Sequence, residues 1–253
     1  PLYISVPKSD INLFKNKLGT DNYILIPDED IYQITTGLDG WRTQQIVKSH
    51  FHRLKVCTNY LCFDSDAFFL SDFKKSDFMA NDEVIYTLMH DPTNYKMECY
   101  HKGKDWYNTC FFRTVREIRK IFDNEHITKL YTYGPPPYPW NCSVWESIEE
   151  WFNDNGMNME QFFIHLESTT GALSRETVIY GEFLLKTKMI DIYPTANHFR
   201  YYTDREAYDW EVKCGLDNNF LRKYYKGACF QDGRSGRVKG ELWQKELIDN
   251  LYK

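Results

Sequence analysis

The sequence predicts an α/β fold: an open, mixed but mostly parallel central sheet flanked by helices. Three observations carry this expectation. Short apolar runs rich in β-branched and aromatic residues alternate with segments of helical period along most of the chain. Strands alternating with helices are the pattern of parallel sheets, whose crossovers are helical. There is no internal repeat and no low-complexity linker, so residues 1–253 read as a single domain.

In order, LYISVP (residues 2–7) reads as a strand, and SD followed by INLFKNKLG reads as a capped helix stopped by glycine. YILIPDED (23–30) is a second strand breaking into an acidic loop. After GLDG, the segment WRTQQIVKSHFHRL returns to helical period, with Val47, Phe51 and Leu54 on a buried stripe. Trp41, Gln44, Gln45 and Lys48 group on an adjoining face. NYLCFDSDAFFL (59–70) and EVIYTLM (83–89) read as strands, and WYNTCFFRTVREIRKIF becomes helical toward its end. TYGPPPYPW (132–140) is proline-rich and reads as an irregular connector. VWESIEEWFNDNG is a helix with a glycine stop, QFFIHLE a strand, ETVIYGEFLLKTK a helix with Ser174 as its cap, and MIDIYP a strand. GELWQKELIDNLYK closes the chain as a helix.

The formal net charge is −5, with no Lys/Arg block, so the surface offers no general attraction to nucleic acid. Seven cysteines without a C-x-x-C pair do not suit a secreted disulfide framework; they read as reduced thiols of a cytoplasmic protein. No apolar run is long enough for a membrane span. Aromatic residues make up 17%, enough to stack on sugar rings or to fill a core.

The chemistry concentrates in LCFDSDAFF. Asp64 and Asp66 sit between apolar runs, where an unpaired carboxylate is costly. In an extended strand they would point to one side and offer hard oxygen donors to one point, as Mg²⁺ or Mn²⁺ requires. The alternative is a pair of loop carboxylates, solvated or bonded to Arg or Lys.

At these residues the chain resembles glycosyltransferases of the GT-A fold, which carry a D-x-D motif at the end of a core strand and hold a divalent metal there. GWRTQQIVK, then YLCFDSDAFF, TYGPPP and SRETVIYGEFL, are similar to a group of bacterial and viral GT-A-like enzymes, over about residues 3 to 231. The resemblance implies a Rossmann-like sheet and transfer of a sugar from a nucleotide-diphosphate sugar to a hydroxyl of a glycan or glycoconjugate. It makes Mn²⁺ or Mg²⁺ the cofactor, Asp66 the more direct ligand, and Asp64 a ligand that also reaches the ribose or a metal-bound water. It also implies that the family's first strand and helix, which hold the base, precede what is numbered here, or that the base is held differently.

Glu176 opens its helix, where the dipole stabilises an ionised carboxylate, and by the resemblance it is the catalytic base of an inverting reaction. A helix-start acid that only complements the dipole is the alternative. Glu182 is a weaker candidate for base. Gln44, Gln45 and Lys48 have the chemistry to bind sugar hydroxyls or phosphate, or else form a solvated face. His198 corresponds to an additional metal ligand in many GT-A enzymes, with Gln231 as a rival polar contact. Two other functions compete: a non-catalytic carbohydrate-binding protein, and a Mg²⁺-dependent nucleotidyltransferase, which would carry a glycine-rich phosphate loop that is not seen.

Overall fold

The computed structural model of the protein describes residues 1–19, 22–93, 96, 107–202 and 205–230. Gln231 and the expected closing helix lie outside the described residues, as does the start of the WYNTC segment. The strands are β1 (Leu2–Val6), β2 (Tyr23–Pro27), β3 (Asn59–Cys62), β4 (Ala67–Phe69), β5 (Thr87–Leu88), β6 (Tyr138–Asn141), β7 (Pro194–Thr195), β8 (Phe199–Tyr202) and β9 (Gly227–Phe230). The helices are α1 (Ile11–Leu18), α2 (Asp28–Ile31), α3 (Gly40–Ser49), α4 (Arg113–Ile121), α5 (Cys142–Asp154), α6 (Met159–Thr170), α7 (Glu176–Thr187), α8 (Arg205–Lys213) and α9 (Asn218–Tyr224).

The chain is mixed α/β, and part of its strand pairing is parallel. Among the described residues the strands form four small sheets, not the one open sheet expected: β1-β2, β3-β6, β4-β9-β8 and β5-β7. β1 runs parallel to β2, β5 to β7 and β8 to β9, whereas β4 is antiparallel to β9.

The described chain forms two compact units. The first comprises residues 1–60, 93–130 and 141–190, and the second residues 61–92, 131–140 and 191 onward.

In the first unit β1, α1 and β2 form as the sequence predicts, with Gly19 at φ 75° ending α1 in a conformation only glycine takes readily. The core is helical. Val115, Ile118, Val144, Trp145, Ile148, Phe162, Phe163, Ile179 and Leu184 are all buried. Ring contacts knit the helices together, Phe122 meeting Trp151 and Phe183, and Phe152 meeting Phe162. QFFIHLE proves helical. Asn158 and Gln161 form a reciprocal capping box at the start of α6, and this local signal outweighs the β-like run FFI.

Two buried carboxylates hold this unit together. Glu160 accepts from the backbone and hydroxyl groups of Thr35 and Thr36, tying that loop to α6. Glu182 is wholly buried and paired with Arg119, whose Nε and Nη2 donate to its two oxygens at 2.9 and 3.0 Å. Arg119 also donates to the carbonyls of Ile127 and Lys129.

In the second unit Leu70, Tyr202, Leu221, Ala228 and Phe230 form the core, with the rings of Tyr202 and Phe230 stacked 5.2 Å apart. Gly227 is required for close approach, because a Cβ there would lie 2.3 Å from the Phe68 carbonyl oxygen and 2.4 Å from the Phe199 ring. The proline-rich connector is not wholly irregular, since β6 begins within it at Tyr138. His90 Nε2 bonds the carbonyl of Gly134 at 3.0 Å and so holds the preceding turn. The expected strand MIDIYP shrinks to the pair Pro194–Thr195, and EVIYTLM to Thr87–Leu88. Among the described residues no helix is long and apolar enough to cross a membrane.

Candidate functional site

The predicted strand over 59–70 breaks in two, and the break falls on the D-x-D. β3 ends at Cys62, the chain turns, and the Ala67 N–H donates to the Asp64 carbonyl at 3.1 Å as β4 begins. Asp64 and Asp66 therefore flank a turn, and the alternation of an extended strand does not set their directions. What places them is the second unit's own packing. Asp66 lies one residue before β4, and its carbonyl accepts from the Phe230 N–H at 2.9 Å, extending the β4–β9 pairing.

Both carboxylates are half-buried. The Tyr138 hydroxyl donates to Asp64 Oδ2 at 3.3 Å, and the Cys229 thiol donates to Asp66 Oδ1 at 3.2 Å. Both of these donors are neutral groups. The Tyr138 ring is stacked on Trp140 with centroids 5.1 Å apart, and Cys229 is buried in β9, so both donors are fixed by packing. Neither was legible as a site residue. Tyr138 belongs to the aromatic and proline stretch to which sequence assigns no role, and nothing near Cys229 in sequence signals its meeting with Asp66.

His198 lies in the same unit but not with this pair. Its ring sits against Phe78 and Tyr86, with centroids 5.2 and 6.1 Å away, and its Nε2 is buried with no hydrogen-bond partner. Burial lowers its pKa, opposed by the charge of Asp77. Among the described residues no group of three or more His, Cys, Asp or Glu side chains is arranged to hold a metal, so these side-chain positions do not unite His198 with Asp64 and Asp66.

The other candidates lie in the first unit. Glu176 is the first residue of α7, and its carboxylate is 7% exposed with Lys48 Nζ 3.7 Å away. Gln45 is buried. Its Oε1 accepts the Glu176 N–H at 3.1 Å and its Nε2 donates to the Trp41 carbonyl at 3.3 Å, so one amide from α3 satisfies an orphan donor at the start of α7. Ser174, expected as the cap, is displaced from that role. The cap position falls on Arg175, and the Ser174 hydroxyl points to the Phe163 carbonyl at 3.4 Å. Gln44 is exposed, and so is Trp41, which meets the Arg42 guanidinium 5.8 Å from its ring centre. Glu182 is engaged by Arg119 as above and is no candidate for base. Gln45, Lys48 and Glu176 thus form one cluster, in which Gln45 positions the acid and Lys48 supplies charge beside it.

A family model described as a family of unknown function (DUF6492) matches residues 1–110. The matched stretch includes α3, Asp64 and Asp66 and stops short of Glu176 and His198. No curated protein matches the chain.

Proposed function

We propose that the protein is a metal-dependent glycosyltransferase of GT-A type, moving a sugar from a nucleotide-diphosphate sugar to a hydroxyl of a glycan or glycoconjugate. One observation carries the reading: two carboxylates two positions apart, half-buried at a turn where a strand ends, each touched by a neutral donor. Two carboxylates brought to one turn offer the hard oxygen donors that a divalent cation takes. The donor set fits Mn²⁺ or Mg²⁺, which take oxygen ligands and complete their shell with water and substrate phosphate. Asp66 and Asp64 would hold the ion, which when bound supplies charge neutralisation for a departing diphosphate.

Tyr138 and Cys229 orient the two carboxylates. His198, packed between rings, is left out of the proposed ligand set. Glu176 is assigned the base that takes the proton of the acceptor hydroxyl, in a reaction that inverts the anomeric centre. Lys48 places its ammonium 3.7 Å from that carboxylate, and Gln45 fixes the backbone from which it projects. Gln44, exposed on α3, and Lys48 are the polar groups left for donor or acceptor. The reading places the enzyme in the cytoplasm, where cysteines without a secreted disulfide framework stay reduced.

The test is a thermal-shift screen of nucleotide sugars with and without Mn²⁺. A donor that binds the folded state raises the melting temperature, here only with metal. Glu176→Gln should keep that shift and lose turnover. A metal-independent shift with free glycans and none with any nucleotide sugar would favour a carbohydrate-binding protein.

A further inference from the structure

Two cysteines meet on the surface of the first unit. Cys57 is exposed in the loop after the helical turn Phe51–Leu54, and Cys142 is the half-buried first residue of α5. The surrounding chain is clamped without help from sulfur. The Cys142 N–H donates to the Thr58 carbonyl at 2.8 Å, and Asn141 Nδ2 donates to Asn59 Oδ1 at 2.8 Å.

Cys57 and Cys142 both line an open cavity of about 500 Å³ with His52, Lys55, Thr58 and Glu146, near enough for the Cys57 thiol to help raise the pKa of Cys142. The cavity gives a small molecule access to the pair. His52 is held by the Ser49 carbonyl at 3.0 Å and by Glu149 at 2.9 Å, and no metal-holding group of three side chains is found among the described residues. The arrangement therefore suits dithiol chemistry and not a metal centre.

We propose that Cys57 and Cys142 are a reversible disulfide site, oxidised by low-molecular-weight disulfides such as oxidised glutathione and reopened by thiols. The Cys57 thiolate attacks one sulfur of the oxidant, forming a mixed disulfide and releasing one glutathione thiolate. Cys142 then gives up its proton to solvent, and its thiolate attacks the Cys57 sulfur. The second glutathione leaves, so one oxidant is reduced to two thiols as the protein dithiol becomes a disulfide.

The order follows from exposure and charge. Cys142 is the slower thiol, because burial first, then Cys57 and Glu146, push it up to about 12. Converting Cys57 to a mixed disulfide removes its part of that effect, and the N-terminus of α5 favours the thiolate that resolves the adduct.

Mass spectrometry of the reduced chain after incubation with oxidised glutathione tests this. The expected product is lighter by about 2 Da, with two of the seven thiols lost to alkylation and a higher melting temperature. The tryptic peptide 56–74 should be linked to 130–175, with fragment ions placing the bond at Cys57 and not Cys62. Cys62→Ser should keep the bond, and Cys142→Ser should instead retain a glutathione adduct of about 305 Da on Cys57. An adduct that persists on the unmodified sequence, a bond between other cysteines, or seven thiols still alkylated would each overturn the proposal.

Discussion

Glu182→Gln removes a charge from the first unit without changing the shape of the side chain, so it isolates what the buried pair contributes. Glu182 is 0% exposed and the Arg119 side chain 5%, and neither is reachable by water that could replace the lost partner. Arg119 makes two bonds to the carboxylate and two to backbone carbonyls. In the variant one amide oxygen can still accept, but the amide NH₂ is turned against a guanidinium donor and the arginine charge stays buried. Breaking one side of such a pair costs about 3–5 kcal/mol. That is a large part of the 5–15 kcal/mol typical of a domain.

Urea unfolding should show the midpoint falling by the matching amount with little change in slope. A double change, Arg119→Met with Glu182→Met, should be less harmful than Arg119→Met alone, since no charge is then stranded, although the carbonyls of Ile127 and Lys129 lose their donor. A loss below about 0.5 kcal/mol for Glu182→Gln, the size expected at an exposed site, would refute the reasoning and return Glu182 to the list of candidate bases.

His50 is buried, with Nδ1 on the Ile46 carbonyl at 2.7 Å, and burial pushes its pKa down to about 4. The folded state therefore prefers neutral His50; its contribution is present above the unfolded pKa near 6.5 and is lost as pH falls toward 4. About 3 kcal/mol should disappear over that window, and His50→Gln should flatten the difference in a pH series of urea midpoints. Gln45→Ala strands the buried Glu176 N–H and should cost about 1–3 kcal/mol in the same assay. If Gln45 also positions the acid, turnover should fall further than stability explains, with donor binding intact.

Period and punctuation made β1, α1, β2, α3, α5 and α7 legible. Each is long enough for its pattern to show, or is closed by a glycine such as Gly19. The shorter strands were not. β5 and β7 pair over two residues each, and their neighbours in sequence are equally apolar but unpaired. α6 was hidden because Phe162, Phe163 and Ile164 give no period of their own, while the decisive capping residues lie outside that run. At the candidate site Asp64, Asp66 and Glu176 stand out as acids in apolar company. Tyr138, Cys229 and the capping role of Gln45 depend on contacts between segments distant in sequence, and no local pattern encodes those. The same holds for Cys57 and Cys142, which the sequence shows only as two cysteines among seven.

The claim on which the functional account rests is that Asp64 and Asp66 hold a divalent ion. Electron paramagnetic resonance reads free Mn²⁺ directly, and titrating Mn²⁺ into the protein with a nucleoside diphosphate present puts that claim to the test. The account predicts that the free signal is suppressed by the unmodified chain and restored by Asp66→Ala at equal protein concentration. Equal suppression by both proteins, or none by the unmodified chain with any nucleoside diphosphate, would contradict it.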